Sequence, residues 1–181
     1  MAIRIEMKSN KVISRFENDL MNKFKSKEYG RKHKRKDFRK DYPDSVFFFV
    51  KGKGKITAFG TFRRLTLEFK CKRYRIFGIC NILTIQRGKG YGKILIKAMI
   101  KHLKRTGKTG LGFCISKNMK FYKKSGMSIK KEFIRRVVYK NPKGKLEPEK
   151  NADGFYYEGK DKLITKILSG KSIAYTDLKD W

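Results

Sequence analysis

Three glycines at every second position, Gly88, Gly90 and Gly92, separate an apolar β-branched run from a helical pattern in residues 82–98, ILTIQRGKGYGKILIKA. A strand that ends in a glycine turn and passes at once into a helix exposes backbone N–H groups, because the first turn of a helix leaves about four donors unpartnered. Glycine lets a bulky anion approach those donors. The segment Arg87-Gly88-Lys89-Gly90-Tyr91-Gly92 is therefore expected to hold a phosphate-bearing cofactor. It is not a Walker A loop, since Arg87 stands where glycine is needed and Ile94 follows Lys93 where Ser or Thr is needed. Nor is it a dinucleotide fingerprint with an acid about twenty residues on.

The flanking pattern is that of a mixed α/β chain. Residues 9–27 carry Val12, Phe16, Leu20 and Phe24 at four-residue spacing, which predicts a helix capped by Ser9 or Asn10. The basic run Gly30–Lys36 has no apolar face. It reads as a solvated loop or as a phosphate-binding arm, with Phe38 and Tyr42 beside it to stack on bases. Ser45–Val50 predicts a buried strand, Lys51–Lys55 a glycine turn, Ile56–Phe69 a second strand and Cys71–Ile85 a third. After the helix that follows the glycine loop, Leu111–Ile115 is a strand, and the helix between the two β-runs predicts a right-handed parallel crossover. Lys117–Lys124 is a short helix closed by Gly126, and Ile129–Tyr139 resumes strand character. Gly154–Tyr157 and Ser172–Tyr175 predict closing strands around a helical segment Lys160–Leu168. No repeat or linker divides the chain, which predicts one domain over residues 1–181.

Composition bounds the partners. The 39% apolar fraction, with fourteen Phe and nine Tyr, is that of a globular chain. No run approaches the ~18 apolar residues of a membrane span, and no signal peptide is visible at Met1-Ala2-Ile3-Arg4, so a cytoplasmic, membrane-free protein is expected. Cys71, Cys80 and Cys114 have no C-x-x-C spacing and only His33 and His102 accompany them, so no metal site is expected. The net charge is +32. A codon bias toward Lys accounts for many lysines but not for the scarcity of acids, which keeps nucleic acid or a ribosome open as a partner. The charge is uneven, because residues 146–181 hold seven acids (Glu147, Glu149, Asp153, Glu158, Asp161, Asp177, Asp180) against six lysines.

The R-x-x-G-x-G pattern of Arg87–Gly92, after strands and before a helix, resembles the acetyl-CoA loop of the GCN5-related N-acetyltransferases. A second motif about thirty residues later, Phe121-Tyr122-Lys123-Lys124-Ser125-Gly126-Met127, is similar to that family's tyrosine helix. The resemblance covers residues 45–140 and implies a fold in which a central strand pair of a mixed sheet splays beyond Ile85. It implies acetyl-CoA as acyl donor, its pantetheine arm paired with the backbone of Leu83 and Ile85 like an added strand. It further implies Arg87, Gly88, Lys89, Gly90, Tyr91 and Gly92 on the pyrophosphate, and Tyr122 protonating the departing thiolate. Residues 1–44 then form an N-terminal helix and basic loop, and 141–181 the acceptor side.

The ending, Asp153-Gly154-Phe155 through Asp180-Trp181, resembles that of the aminoglycoside 2′-N-acetyltransferases. That likeness implies an amine acceptor such as an aminoglycoside or polyamine, held by Asp153, Asp180 and Trp181, and suggests a homodimer. Where those enzymes carry a Glu on the central strand the match here is Asn81, which can orient a water but cannot take a proton. The approach Ile85-Gln86-Arg87 is shorter than usual and lacks a proline turn. The rival expectation is a protein that binds polyanions through its basic surface, with or without acylating a base, a tRNA or a protein amine.

Overall fold

The computed structural model describes residues 2–30, 35–141, 143–147 and 153–178. They form two compact units: one holds the chain up to Arg63 together with Cys80–Ala98, the other Arg64–Ile79 and the chain from Met99 on.

The first unit begins with strand β1 (Ile3–Ser9), which the sequence pattern did not announce. It pairs antiparallel with β2 (Val46–Gly52), and β2 pairs antiparallel with the first part of β3 (Lys55–Phe69). The β2–β3 turn places Lys53 and Gly54 in the left-handed region, the geometry that matches the twist of a two-residue hairpin. Phe47, Phe48 and Phe49 are all fully buried, so both faces of β2 are covered. Phe47 and Phe49 pack with Ile13, Met21, Phe38, Tyr42, Phe59 and Leu83. This unit also receives the end of β4 (Lys72–Thr84) and the first half of helix α2 (Tyr91–Thr106).

Helix α1 (Arg15–Tyr29) starts later than the apolar spacing predicted, and its cap is Ser14, not Ser9 or Asn10. Val12 and Phe16 are exposed, while Glu17, Met21, Asn22 and Lys25 face inward. The helix is thus rotated from its expected stripe, and its inward Glu17 and Asn22 find hydrogen-bond partners. Asn22 bridges to Lys36, its Oδ1 accepting from the backbone N–H and its Nδ2 donating to the carbonyl, each at 2.8 Å. Asn18 Oδ1 accepts from the Phe38 N–H at 2.9 Å. These amides hold residues 36–38 against the helix and bury Phe38 and Tyr42 in the core. That corrects the expectation that the two rings stand free to stack on bases. Arg31–Lys34 of the basic run lie outside the described residues.

The second unit is a mixed sheet in the order β6-β9-β5-β4-β3-β10-β7-β8. Its further strands are β5 (Gly110–Cys114), β6 (Ser128–Lys130), β7 (Val137–Lys140), β8 (Leu146–Glu147), β9 (Asp153–Tyr157) and β10 (Ala174–Thr176). The predicted parallel crossover is present, with Phe77↔Gly110 and Gly78↔Leu111 of β4 and β5 in register. Their described pairing ends there, well before Ile85, where the strands were expected to part. Leu65, Leu67, Ile76, Leu111 and Phe133 share a core with Leu163, Ile164 and Ile167 of α4 (Leu163–Leu168). The continuous strand expected over 129–139 is interrupted instead. Glu132 turns left-handed and Phe133–Arg136 form a single 3-10 turn, which seats the Phe133 ring against Gly154. A Cβ at Gly154 would lie 2.7 Å from that ring.

Candidate active site

The glycine loop lies in the first unit. Gly88 and Gly90 take φ of 78° and 77°, and an added Cβ at either would meet nothing within 4 Å. The turn is therefore both left-handed and open on its outer side, a combination that glycine tolerates without strain. The first backbone bond of α2 runs from the Ile94 N–H to the Gly90 carbonyl at 3.2 Å, which makes Gly90 the N-cap residue. The N–H groups of Tyr91, Gly92 and Lys93 precede that bond, and the first turn contains no acid. Tyr91 lies over Gly52 of β2, where an added Cβ would come within 3.0 Å of its hydroxyl. Arg87 pairs at the surface with Glu28. An open helix end flanked by Arg87, Lys89 and Lys93 is an anion seat.

The end of β4 leads into this loop. Asn81 has φ of 53°, a left-handed residue inside a strand. Its side chain donates to Thr61 Oγ1 at 3.4 Å. Leu83 points into the core and Ile85 packs against it. The Ile85 N–H donates to the Thr57 carbonyl of β3 at 2.8 Å. That N–H is engaged within the sheet, so it does not offer the pairing expected of it. Cys80, beside Asn81, is no nucleophile, because burial pushes its thiol up to about 12.

Pattern reasoning passed over two other side chains, both against the Tyr42 ring. Lys25 of α1 is 4% exposed, and its Nζ lies 5.4 Å from the Phe38 ring centre and 5.8 Å from that of Tyr42. The Arg63 guanidinium lies 4.3 Å from the same Tyr42 ring centre. The one signal in the sequence is that Lys25 follows Met21 by one helical turn, on the face that packs inward.

In the second unit, Tyr122 sits on α3 (Met119–Lys124) and is buried. Its ring stacks on Phe155 of β9, centres 3.7 Å apart and planes within 6°. Gly112 makes room for this stack, since a Cβ there would come within 2.3 Å of the Phe155 ring. The helix is closed by Gly126 at φ 101°, with the Met127 N–H on the Tyr122 carbonyl at 3.1 Å.

Asp153 is also buried, and both of its oxygens are engaged. The Glu132 N–H donates to Oδ1 at 2.8 Å and Ser116 Oγ to Oδ2 at 2.7 Å. These bonds hold its carboxyl below the usual range. Asp153 braces the turn before Phe133, which is a different task from binding an acceptor. The other described acids of the tail are similarly engaged. Glu158 accepts from the Ile164 and Thr165 N–H groups at the start of α4, and Asp161 from Thr109 Oγ1 at 2.6 Å. Asp177 accepts from the Thr66 N–H, and Glu147 from Asn141 Nδ2 at 3.2 Å. Glu149, Asp180 and Trp181 lie outside the described residues.

The profile of the acetyltransferase (GNAT) family matches residues 14–127, a span that includes the glycine loop and Tyr122. No curated protein sequence matches the chain. Among solved structures, Escherichia coli ElaA is similar at a TM-score of 0.59 and 12% identity, covering 87% of this chain and 100% of its own. An N-acetyltransferase from Staphylococcus aureus Mu50 is similar at 0.55 and 13%, covering 86% and 97%. Campylobacter jejuni N-acetyltransferase PseH, solved in complex with acetyl coenzyme A, is similar at 0.54 and 16%, covering 86% and 99%. At such identities the likeness is one of fold. No helix among the described residues is long and apolar enough to cross a membrane.

Proposed function

The chain belongs to the GNAT acetyltransferase family, and we propose that an open helix end, a strand edge and one tyrosine carry its reaction. It is an acetyl-CoA-dependent N-acetyltransferase, and its acceptor is an amine. Acetyl-CoA supplies the activated acetyl group and leaves as the free thiol.

The observation that carries the assignment of residues is the start of α2: left-handed Gly88 and Gly90, no acid in the first turn, and free space over both glycines. These features fit a pyrophosphate, held by the N–H groups of Tyr91, Gly92 and Lys93 with Arg87 and Lys89 alongside. Along β4 the backbone groups alternate between the two strand edges. Since the Ile85 N–H is turned to Thr57, the groups left for an added strand are those of Ile82 and Thr84. Asn81, an amide, orients a water or the acceptor and takes no proton. Tyr122 donates a proton to the departing thiolate.

A cationic aminoglycoside-like or polyamine acceptor draws little support, because the described acids of the tail are each bound to donors of the chain itself. A nucleic-acid partner loses the stacking rings Phe38 and Tyr42, which are core residues. The test is release of thiol from acetyl-CoA over a panel of amines, with Tyr122→Phe beside the wild type. Turnover should fall by about 100-fold in the variant, while CoA affinity stays within about twofold. Unchanged turnover would remove Tyr122 from the mechanism.

A further inference from the structure

Strand β1 lies at an edge and turns its apolar row to solvent. Ile3, Ile5 and Met7 are 47%, 42% and 47% exposed, while Glu6 and Lys8 take the opposite face, where Lys8 meets Glu17 of α1. The exposed row is in register with Gly52, Val50 and Phe48 of β2, so it extends the apolar face of that strand past the part the fold covers. The backbone is open on the same strand. The Asn10 N–H donates to the Ser45 carbonyl at 3.1 Å, one step past the Ser9↔Val46 pair. In an antiparallel ladder, alternate residues turn both backbone groups to the partner. Lys8, Glu6 and Arg4 therefore face β2 with theirs, and Met7, Ile5 and Ile3 point theirs away from it. Among the described residues, β2 is the one strand partner of β1. A row of unpaired N–H and C=O groups beside an apolar strip is a template for another strand.

The charges on β1 select a second copy of the same strand as the occupant. To use the free groups of both copies, odd-numbered residues have to lie opposite odd-numbered ones. An antiparallel pair centred on Arg4 sets Arg4 against itself, and one centred on Glu6 sets Glu6 against itself. Centring on Ile5 instead sets Arg4 against Glu6 and Ile3 against Met7 on both sides of the axis. That register places opposite charges at the closer, non-hydrogen-bonded positions. Glu6 pairs with Lys51 within the chain, and its Oε1 stays 3.8 Å from Lys8, which leaves it able to accept from an arginine. A chain of net charge +32 repels its own copy at long range, so contact between copies has to be apolar and locally compensated. We propose that β1 is the seam of a two-fold homodimer, in which Ile5 pairs with the partner's Ile5 across the axis and Arg4 with the partner's Glu6. The pairing seals both edges and shields both apolar rows from water. It is independent of the acetyltransferase reading, since β1 carries none of the residues assigned to the reaction.

Sedimentation of the full chain after nuclease treatment should give a dimer. The dimer should tighten as salt rises from about 0.15 to 0.5 M, because screening weakens the repulsion between copies. Ile5→Lys sets two ammonium groups against each other at the axis and should weaken the dimer by about 100-fold, with the circular dichroism spectrum and CoA affinity kept. Arg4→Glu should weaken it by about tenfold, because the new acid meets the partner's Glu6. Disulfide trapping in a Cys71→Ser background reads the register. Oxidation should link Ile5→Cys to itself, and Ile3→Cys to Met7→Cys when the two proteins are mixed, but neither of those two to itself. A monomer at about 100 µM, well above the Kd of a stable dimer, would overturn the inference and leave the edge to a strand of another protein. Association that nuclease or salt dissolves, a dimer that Ile5→Lys leaves intact, or trapping of Ile3→Cys with itself would overturn it as well.

Discussion

Two helices of the first unit start in opposite ways. At α1, Ser14 Oγ accepts from the Glu17 N–H at 3.1 Å, and the Glu17 carboxylate accepts from the Ser14 N–H at 2.9 Å. The carboxylate also takes the Lys8 ammonium, so the helix end is closed by groups of the chain itself. At α2 the N-cap is a glycine without a side chain, the first turn has no acid, and three cations stand near it. A side-chain cap stabilises a helix by about 1 kcal/mol, and α2 goes without one. The difference separates a helix end that serves the fold from one kept for a ligand.

The largest effect should come from giving α2 the carboxylate that α1 has. Gly90→Asp places an acid at the N-cap, where strain at φ 77° and the gain of a cap nearly cancel at about 1 kcal/mol each, so the melting temperature should barely move. CoA affinity should nevertheless fall by about 100-fold, because the new charge occupies the anion seat. Normal CoA binding by calorimetry would sink the loop assignment.

The converse change opens α1. Ser14→Ala with Glu17→Gln should cost about 3 kcal/mol in chemical unfolding and leave CoA affinity unaltered, since it removes the capping box and strands Lys8. Acid titration sharpens the same point. Burial works to raise the Glu17 carboxyl, but Lys8 and Ser14 outweigh it and hold it low. The unfolded chain then binds more protons through the carboxylate range, so this stability is present above the ordinary carboxylate pKa and is lost as pH falls through the lowered native value. Glu17→Gln should flatten that limb of the stability curve. The smallest effect concerns Glu28, which pairs with exposed Arg87. Glu28→Gln should tighten CoA binding by about twofold at low salt, and the gain should vanish at high salt.

What could be read ahead of the structure was whatever depends on neighbours in the chain. The glycines at 88, 90 and 92, the SVFFFV strand, the hairpin at Lys53-Gly54 and the Tyr122 helix are local signals. The orientation of α1 was not local. Phe16, Leu20 and Phe24 make a plausible stripe, but Glu17 and Lys25 face inward because Lys8, from a strand nine residues earlier, and Tyr42, from beyond the basic run, meet them there. The acidic tail misled for a related reason. A count of charges cannot tell that Asp153 is bound to Ser116 and to the Glu132 N–H, or that Glu158 closes α4. That the Ile85 N–H turns to the Thr57 carbonyl was equally out of reach, because its partner lies on another strand.

Gly52 lies thirty-six residues before Gly88 in the chain and touches no cofactor loop by sequence, yet the Tyr91 ring rests on it. A side chain at Gly52 would press on the tip of the Tyr91 ring, 3.0 Å from its hydroxyl, and that ring would have to shift. The two positions therefore form one heritable unit. A lineage that replaces Gly52 has to shrink or move Tyr91 as well, and a saturation scan would mark a β-hairpin glycine among the positions that set CoA affinity.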